Sequence, residues 1–496
     1  MSDADALAPP ASAGTSSPAR PSAGAVVAVL AMAGIVVSLM QTLIIPIVPE
    51  LPTFLDAPAS DAAWAVTATL LAAAVATPTV GKLGDMFGKR RMLLTSIGLL
   101  IAGSLVCALS DSLVPMIIGR VLQGLSAAVV PLGISILRDT VPAEKLAGST
   151  AVMSASLGVG GAIGLPAAAF IADNWDWHVL FWIAAGLGVA SLLLVLFFVP
   201  EAGSRAGGRF DLVGSLGLSA GLVTLLLAVS KGGDWGWTSA TTLGLATASV
   251  IVLLSWGWWE LRSKESLVDL RTTAKAQVLF TNLASIALGF SMFATSLVLP
   301  QLMQLPKETG YGLGESMLTV GLVLAPQGFV MMIMSALSAK LTAAKGPKVT
   351  LMVGTLIVAS GYGLNILLMS ELWHMVLVSC VIGAGIGFTY GALPALIMGA
   401  VAPSQSGAAN SLNTLMRSLG TSFASALTGV LLAQLTTDFG GHALPSEGGF
   451  KLVMAIGAGA AVLAFFLASF IPKKRPATTE GADSPTQPAE IAAAKA

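Results

Sequence analysis

Apolar segments of about 20 residues or more, each long enough to cross a bilayer as a helix, follow one another through almost the whole of this sequence. They fall near 25–49, 62–81, 92–110, 113–136, 147–172, 178–199, 212–230, 240–259, 276–305, 316–339, 349–369, 372–400, 407–437 and 451–471, fourteen in all. In lipid every backbone amide must find its partner inside the protein, and a helix does this segment by segment. The sequence therefore predicts an all-α polytopic membrane protein. Composition agrees: 10% of the 496 residues are charged, where a soluble domain uses roughly 25%. The 54 glycines suit helices that approach one another closely in lipid. The stretch 372–416 carries no charge, but Ala402-Pro403-Ser404-Gln405-Ser406-Gly407 divides it into two helices. The flanks 1–24 and 472–496, rich in Ala, Ser and Pro, read as disordered tails.

Lys and Arg fix the orientation, because they concentrate on the cytoplasmic side. With the N-terminus inside, twenty of them fall in inner segments and three (Lys231, Lys307, Lys451) in outer ones, while Arg120 and Arg417 lie within spans. Both termini are thus expected in the cytoplasm, with the protein multi-pass in the cell (inner) membrane.

Several function classes are excluded. Bases and acids balance at 25 each, against a nucleic-acid binder. Cys107 and Cys380 stand in separate apolar runs, and His178, His374 and His442 do not cluster with acids, so no metal site or disulfide framework is expected. No G-x-x-x-x-G-K-[ST] loop appears that would hold ATP. No nucleophile–base constellation suggests an enzyme, and no cofactor is implied.

A weak repeat is visible. The segment after the second span is Gly81-Lys82-Leu83-Gly84-Asp85-Met86-Phe87-Gly88-Lys89-Arg90-Arg91, and that after the tenth is Ala339-Lys340-Leu341-Thr342-Ala343-Ala344-Lys345-Gly346-Pro347-Lys348. At one offset Lys, Leu, Gly and a later base coincide. This suggests two six-helix halves, 25–200 and 276–471, separated by 201–275 with two additional helices and a cytoplasmic linker. Parallel halves around a central site are a transporter architecture.

The 81–91 segment resembles the signature loop of the major facilitator superfamily, G-x-L-x-D-x-x-G-[RK]-[RK]-[RK]. Trp64-Ala65-Val66-Thr67-Ala68, Arg120-Val121-Leu122-Gln123-Gly124, Arg209-Phe210-Asp211 with Asp234-Trp235-Gly236-Trp237, and Arg417-Ser418-Leu419-Gly420 are similar to patterns of its fourteen-span drug:proton antiporters. The resemblance implies the major facilitator fold, a monomer in the bilayer, and proton-coupled efflux of drugs or lipophilic small molecules by alternating access. Other readings are a dedicated exporter of one endogenous metabolite and a non-transporting sensor on the same fold. Two positions depart from the pattern. Met40 stands where an acid is usual in the first span, and Leu165 separates Gly164 from Pro166 in the antiporter-like helix that also holds Gly160.

The candidate residues follow. Gly81, Asp85, Gly88, Arg90 and Arg91 form a conformational latch, with the uncharged 403–407 linker as a receptor for Asp85; the alternative is plain anchoring by the bases. Arg120, inside the fourth span, is either a cavity residue or a structural one bonded to carbonyls and Gln123. The central helices by analogy are spans 1, 4, 9 and 12, which offer Gln41, Thr42, Arg120, Gln123, Asn282, Ser285, Thr295, Thr389 and Tyr390, with Arg417 from span 13. Met292, Met331 and Met332 add adaptable apolar surface. No acid falls at the bilayer centre, so Glu50 and Asp61 at the outer end are the proton-coupling candidates, with Glu50 exchanging with Arg120. Lacking a central acid, the cavity is expected to favour neutral, zwitterionic or anionic amphiphiles over lipophilic dications.

Overall fold

A computed structural model describes residues 22–472 except 49, 202–206, 208, 440 and 441, so Pro49 and nearly all of both tails lie outside the described residues. Fourteen helices are long and apolar enough to cross a membrane. In chain order they are α1 (Ala23–Thr42), α2 (Trp64–Phe87), α3 (Lys89–Ala108), α4 (Leu113–Thr140), α5 (Ala143–Asn174), α6 (His178–Phe198), α7 (Leu212–Trp235) and α8 (Ala240–Arg262). They continue with α9 (Ala276–Gln304), α10 (Met317–Lys345), α11 (Pro347–Leu367), α12 (Leu372–Met398), α13 (Ser406–Gln434) and α14 (Glu447–Ser469). Short polar residues start many of them. Ser22, Asp211, Ser239, Ser316 and Ser446 each accept a hydrogen bond from a first-turn amide, satisfying a donor that the helix leaves open. Gly88 sits at φ +113°, joining α2 to α3 in a conformation that a side chain would strain.

The repeat that the sequence shows faintly is explicit in the packing. In the first half α1 packs on α5 and α6, α2 on α4, and α3 on α4 and α6. Adding eight to each number gives the second half: α9 on α13 and α14, α10 on α12, and α11 on α12 and α14. The seams between halves obey the same rule, since α2 meets α13 and α10 meets α5. The chain is thus two six-helix bundles plus two extra helices. The apolar cores follow this division, one cluster per bundle, and a third in which Leu218, Leu222 and Leu226 of α7 meet Ala74 of α2 and Leu412 of α13. Helix α7 therefore covers the α2–α13 seam.

Several elements differ from the sequence expectation: helix α2 runs past 81 to Phe87, and three further differences shape the chain. Helix α1 ends at Thr42, not at 49; the chain then passes through a 3-10 turn at Ile45–Ile47 that contains Pro46. Helix α4 changes to 3-10 at Leu125–Ala128, where Pro131 has no amide for the carbonyl of residue 127. Helix α13 ends at Gln434, and β1 (Thr436–Phe439) with β2 (His442–Pro445) forms an antiparallel hairpin before α14. The Tyr311 hydroxyl donates to the Pro445 carbonyl at 2.6 Å, and burial there pushes its pKa above the usual phenol value.

Candidate functional site

Two polar constellations lie between the bundles. The first stands at the face that carries most of the bases. Asp85, in the last turn of α2, is 2% exposed and accepts from the backbone amides of Gly407 at 3.1 Å and Ala408 at 2.8 Å. These are open donors of the first turn of α13, where the helix dipole favours a negative charge. One turn on, Lys89 is 3% exposed and donates to Asp139 of α4 at 2.7 Å, to the Ser406 hydroxyl at 3.2 Å and to the Pro403 carbonyl at 3.5 Å. Arg138 donates to the carbonyls of Val401 at 3.0 Å and Ala402 at 3.4 Å. Every one of these bonds except Lys89–Asp139 joins the first bundle to the first turn of α13 or to the segment just before it. Two carboxylates of the first bundle thus share one ammonium, and one of them, Asp85, also takes the helix N-terminus of α13 across the seam.

Close backbone approach makes this clasp possible. A Cβ on Gly81 would collide with the Ser411 side chain and the Gly407 carbonyl. The bases after Gly88 divide their tasks. Arg90 donates to the Leu196 carbonyl at the end of α6, a favourable place for a cation, and Arg91 is exposed.

The second constellation lies deeper, where α4 and α5 of the first bundle meet α12 and α13 of the second. Arg417 places its guanidinium 4.6 Å from the ring centre of Tyr390. Both line a slot of about 20 Å³ with Ser154, Asn410, Asn413 and Thr414, room for about one water molecule. Asn413 extends this polar patch into the second bundle, donating to Asn282 at 2.9 Å and Ser285 at 2.8 Å. In this conformation the axis is shut at the level of Arg417.

The model of the Major Facilitator Superfamily matches residues 30–425 and 281–495. The chain belongs to this superfamily. Among its relatives are an uncharacterised MFS-type transporter of Mycobacterium tuberculosis H37Rv, 28% identical over 82% of this chain, and Multidrug resistance protein 3 of Bacillus subtilis, 26% identical over 76% of this chain and 75% of its own. The chain spans 59% of the length of the mycobacterial relative. The crystal structure of the human organic anion transporter MFSD10 (TETRAN) has the same fold, with a TM-score of 0.64 and 16% identity over 90% of this chain and 100% of that one.

In this superfamily member the residues expected from sequence to line one cavity are distributed over several places. Arg120, 2% exposed, donates to the Ala65 carbonyl at 3.0 Å and to Gln123 at 2.7 Å, and Gln123 donates to Ser104 at 2.9 Å. All of these belong to α2, α3 and α4, so the pair is held inside the first bundle and not at the seam. Glu50 is exposed, and Arg120 has its bonds elsewhere, so the two acid-exchange partners are not together. The reason is the early end of α1: Glu50 stands beyond it, at the start of a short helix Leu51–Phe54. Asp61 is exposed on Ala59–Ala62. Gln41 is exposed, whereas Thr42 donates to the Leu39 carbonyl at 3.0 Å and lies against Gly164 of α5. Thr295 bonds Tyr362 within the second bundle, and Met332 is exposed while Met331 packs on Gly158.

Helix α5 fits tightly on both sides. A Cβ on Gly160 would strike the Ile35 carbonyl and Ser38 of α1, and one on Gly321 of α10 would strike Pro166. The glycines let α5 lie between a helix of its own bundle and one of the other. Lys89, Arg138, Asp139, Asn410 and Asn413 were absent from the residues expected to act. The asparagines carry a readable signal, because positions 410, 413 and 417 recur at the three- and four-residue spacing of one helix face.

Proposed function

We propose that this protein is a secondary active exporter that moves lipophilic small molecules out of the cell by alternating access, as a monomer, in exchange for protons. The basic face is the cytoplasmic one, on the twenty-to-three distribution of Lys and Arg. The observation that carries the reading is the clasp: Asp85, Lys89 and Arg138 tie the two bundles together at one face only through groups that water satisfies equally well once they part. Such a contact is built to open. The names of relatives such as Multidrug resistance protein 3 favour export over uptake.

An inward proton supplies about 1.4 kcal/mol per pH unit and about 2.3 kcal/mol per 100 mV, enough for substantial uphill export. Glu50 and Asp61, both exposed near the opposite face, are the acids we assign to proton entry. The test is uptake by inside-out vesicles of a panel of cationic, neutral and anionic lipophiles, with and without an imposed pH gradient. Protein-dependent uptake that collapses with the gradient is expected; a panel that never moves refutes export, and uptake indifferent to pH refutes proton exchange.

A further inference from the structure

The two intramembrane arginines have opposite surroundings. Arg120 is enclosed by acceptors of its own bundle, the Ala65 carbonyl and Gln123. Arg417 makes no hydrogen bond or ion pair among the described residues; its guanidinium faces the ring of Tyr390. It lies eleven residues past Ser406, the start of α13, hence about 17 Å along the helix axis and near the bilayer centre. No carboxylate lines its slot from α4, α5, α12 or α13. Arg417 is half-buried; a guanidinium offers five N–H donors, and a cation at this depth that faces protein is by default paired with a counter-charge or kept for a function. A second donor beside this patch is also open, since the buried Nδ2 of Asn282 has no acceptor.

We propose that Arg417 is an anion-binding group in the transport path, and that the substrates of this exporter are lipophilic monoanions carrying a carboxylate or sulfonate. The planar fork of Arg417 fits two oxygens of such a group side by side. Val130, Ile134 and Leu157, from α4 and α5 across the seam, supply the apolar wall for the rest of the molecule. A lipophilic cation finds only the positive charge. The slot is shut around Arg417 here, so the anion enters after the clasp opens. Arg417 and the clasp share α13, whose first turn holds Asp85, so release at the basic face frees the helix that carries the binding group.

This inference rests on the exporter reading, and the experiment separates the two. Full-length protein is reconstituted, and uptake and binding are measured for three dansyl probes with the same chain, one ending in a carboxylate, one in a neutral amide and one in a quaternary ammonium. The carboxylate is expected to be transported best. Arg417→Gln is expected to lower its uptake and affinity about 10- to 100-fold, as for loss of a charged hydrogen-bonding partner, while amide uptake changes less than about twofold. Arg417→Lys, which keeps the charge and loses the fork, is expected to fall between. Three results overturn the proposal: the ammonium or amide moving while the carboxylate does not, Arg417→Gln depressing all probes alike, or no effect of Arg417→Gln on the carboxylate. Carboxylate binding that depends on Arg417 without transport of any probe upholds the site and refutes the exporter reading. Neither binding nor transport of the carboxylate overturns the site.

Discussion

Replacing Asp85 by Asn isolates what the clasp contributes. The amide has nearly the shape of the carboxylate, so packing against Gly407 is unchanged, but one oxygen becomes an N–H group that faces an N–H donor. One of the two bonds to α13, at 2.8 and 3.1 Å, is therefore lost, and the other weakens to a neutral one. The attraction to the helix N-terminus disappears as well, worth about 0.3–1 kcal/mol and up to about 2 kcal/mol when partly buried. Bonds to charged groups contribute about 1.5–3 kcal/mol each, so the closed clasp loses about 2–3 kcal/mol in all. In the open state Asp85 is wet and the substitution is nearly neutral, so the whole difference falls on the opening equilibrium. It shifts about 30- to 150-fold toward open. The assay is reaction of Ser404→Cys with a membrane-impermeant maleimide in inside-out vesicles, since that residue borders the crevice behind Asp85. Labelling is expected to accelerate, with insertion and expression unchanged and turnover reduced. Equal labelling and equal turnover in Asp85→Asn and the parent would show that the two amide bonds do not hold the state.

Three further substitutions probe the same architecture. Lys89→Met removes the bonds across the seam to the Ser406 hydroxyl and the Pro403 carbonyl and leaves Asp139 without its 2.7 Å partner, a loss of about 3–5 kcal/mol for a buried pair; through the two seam bonds labelling at Ser404→Cys is expected to rise as in Asp85→Asn, and the double variant to fall short of the sum. Gly81→Ala places a methyl on Ser411 and the Gly407 carbonyl, so transport is expected to fall with expression intact, measured against a control Gly98→Ala, where a Cβ meets open space. Arg120→Met removes two bonds inside the first bundle and is expected to cost about 3 kcal/mol, read as a lower melting temperature in detergent with all substrates affected equally; loss of one substrate class alone would return Arg120 to the transport path.

The spans were legible in the sequence because hydrophobic length and the breaks between apolar runs are local properties. Fourteen spans follow from them, whereas the helix pairings do not, since they depend on which face of each apolar run carries its glycines. The receptor for Asp85 could be read because an uncharged linker opens α13, but its neighbour Asp139 could not, since nothing in the order of residues brings the end of α4 to Lys89. Arg120 and Gln123 stand three apart and must share a helix face, yet the spacing does not say whether that face meets another bundle or its own. The separation of Glu50 from Arg120 was not legible for a definite reason. The apolar run continues to the prolines, while the helix stops at Thr42, so residues counted as one span belong to two elements.

The charge of the substrate bears on how export is driven. Asp85 sits at the basic face, Glu50 and Asp61 are exposed, and the residue of the first span that would hold a central acid is Met40, so among the described residues the ionised group lining the central slot at the seam is Arg417. A monoanion leaving a cell that is negative inside gains about 2.3 kcal/mol per 100 mV, a static gradient of about 50-fold, with no proton carrier. Exchange with one proton moves a second charge and squares that figure to roughly 2,400-fold per 100 mV. Proteoliposomes clamped with potassium and valinomycin, at equal pH on both sides, distinguish these cases through the steady-state gradient of the dansyl carboxylate. The proton-exchange reading expects the larger exponent, two charges per cycle, and a single charge would assign the driving force to the anion alone. A gradient that ignores the potential would mean that no net charge crosses, and with it neither anion export alone nor its exchange for a proton could stand.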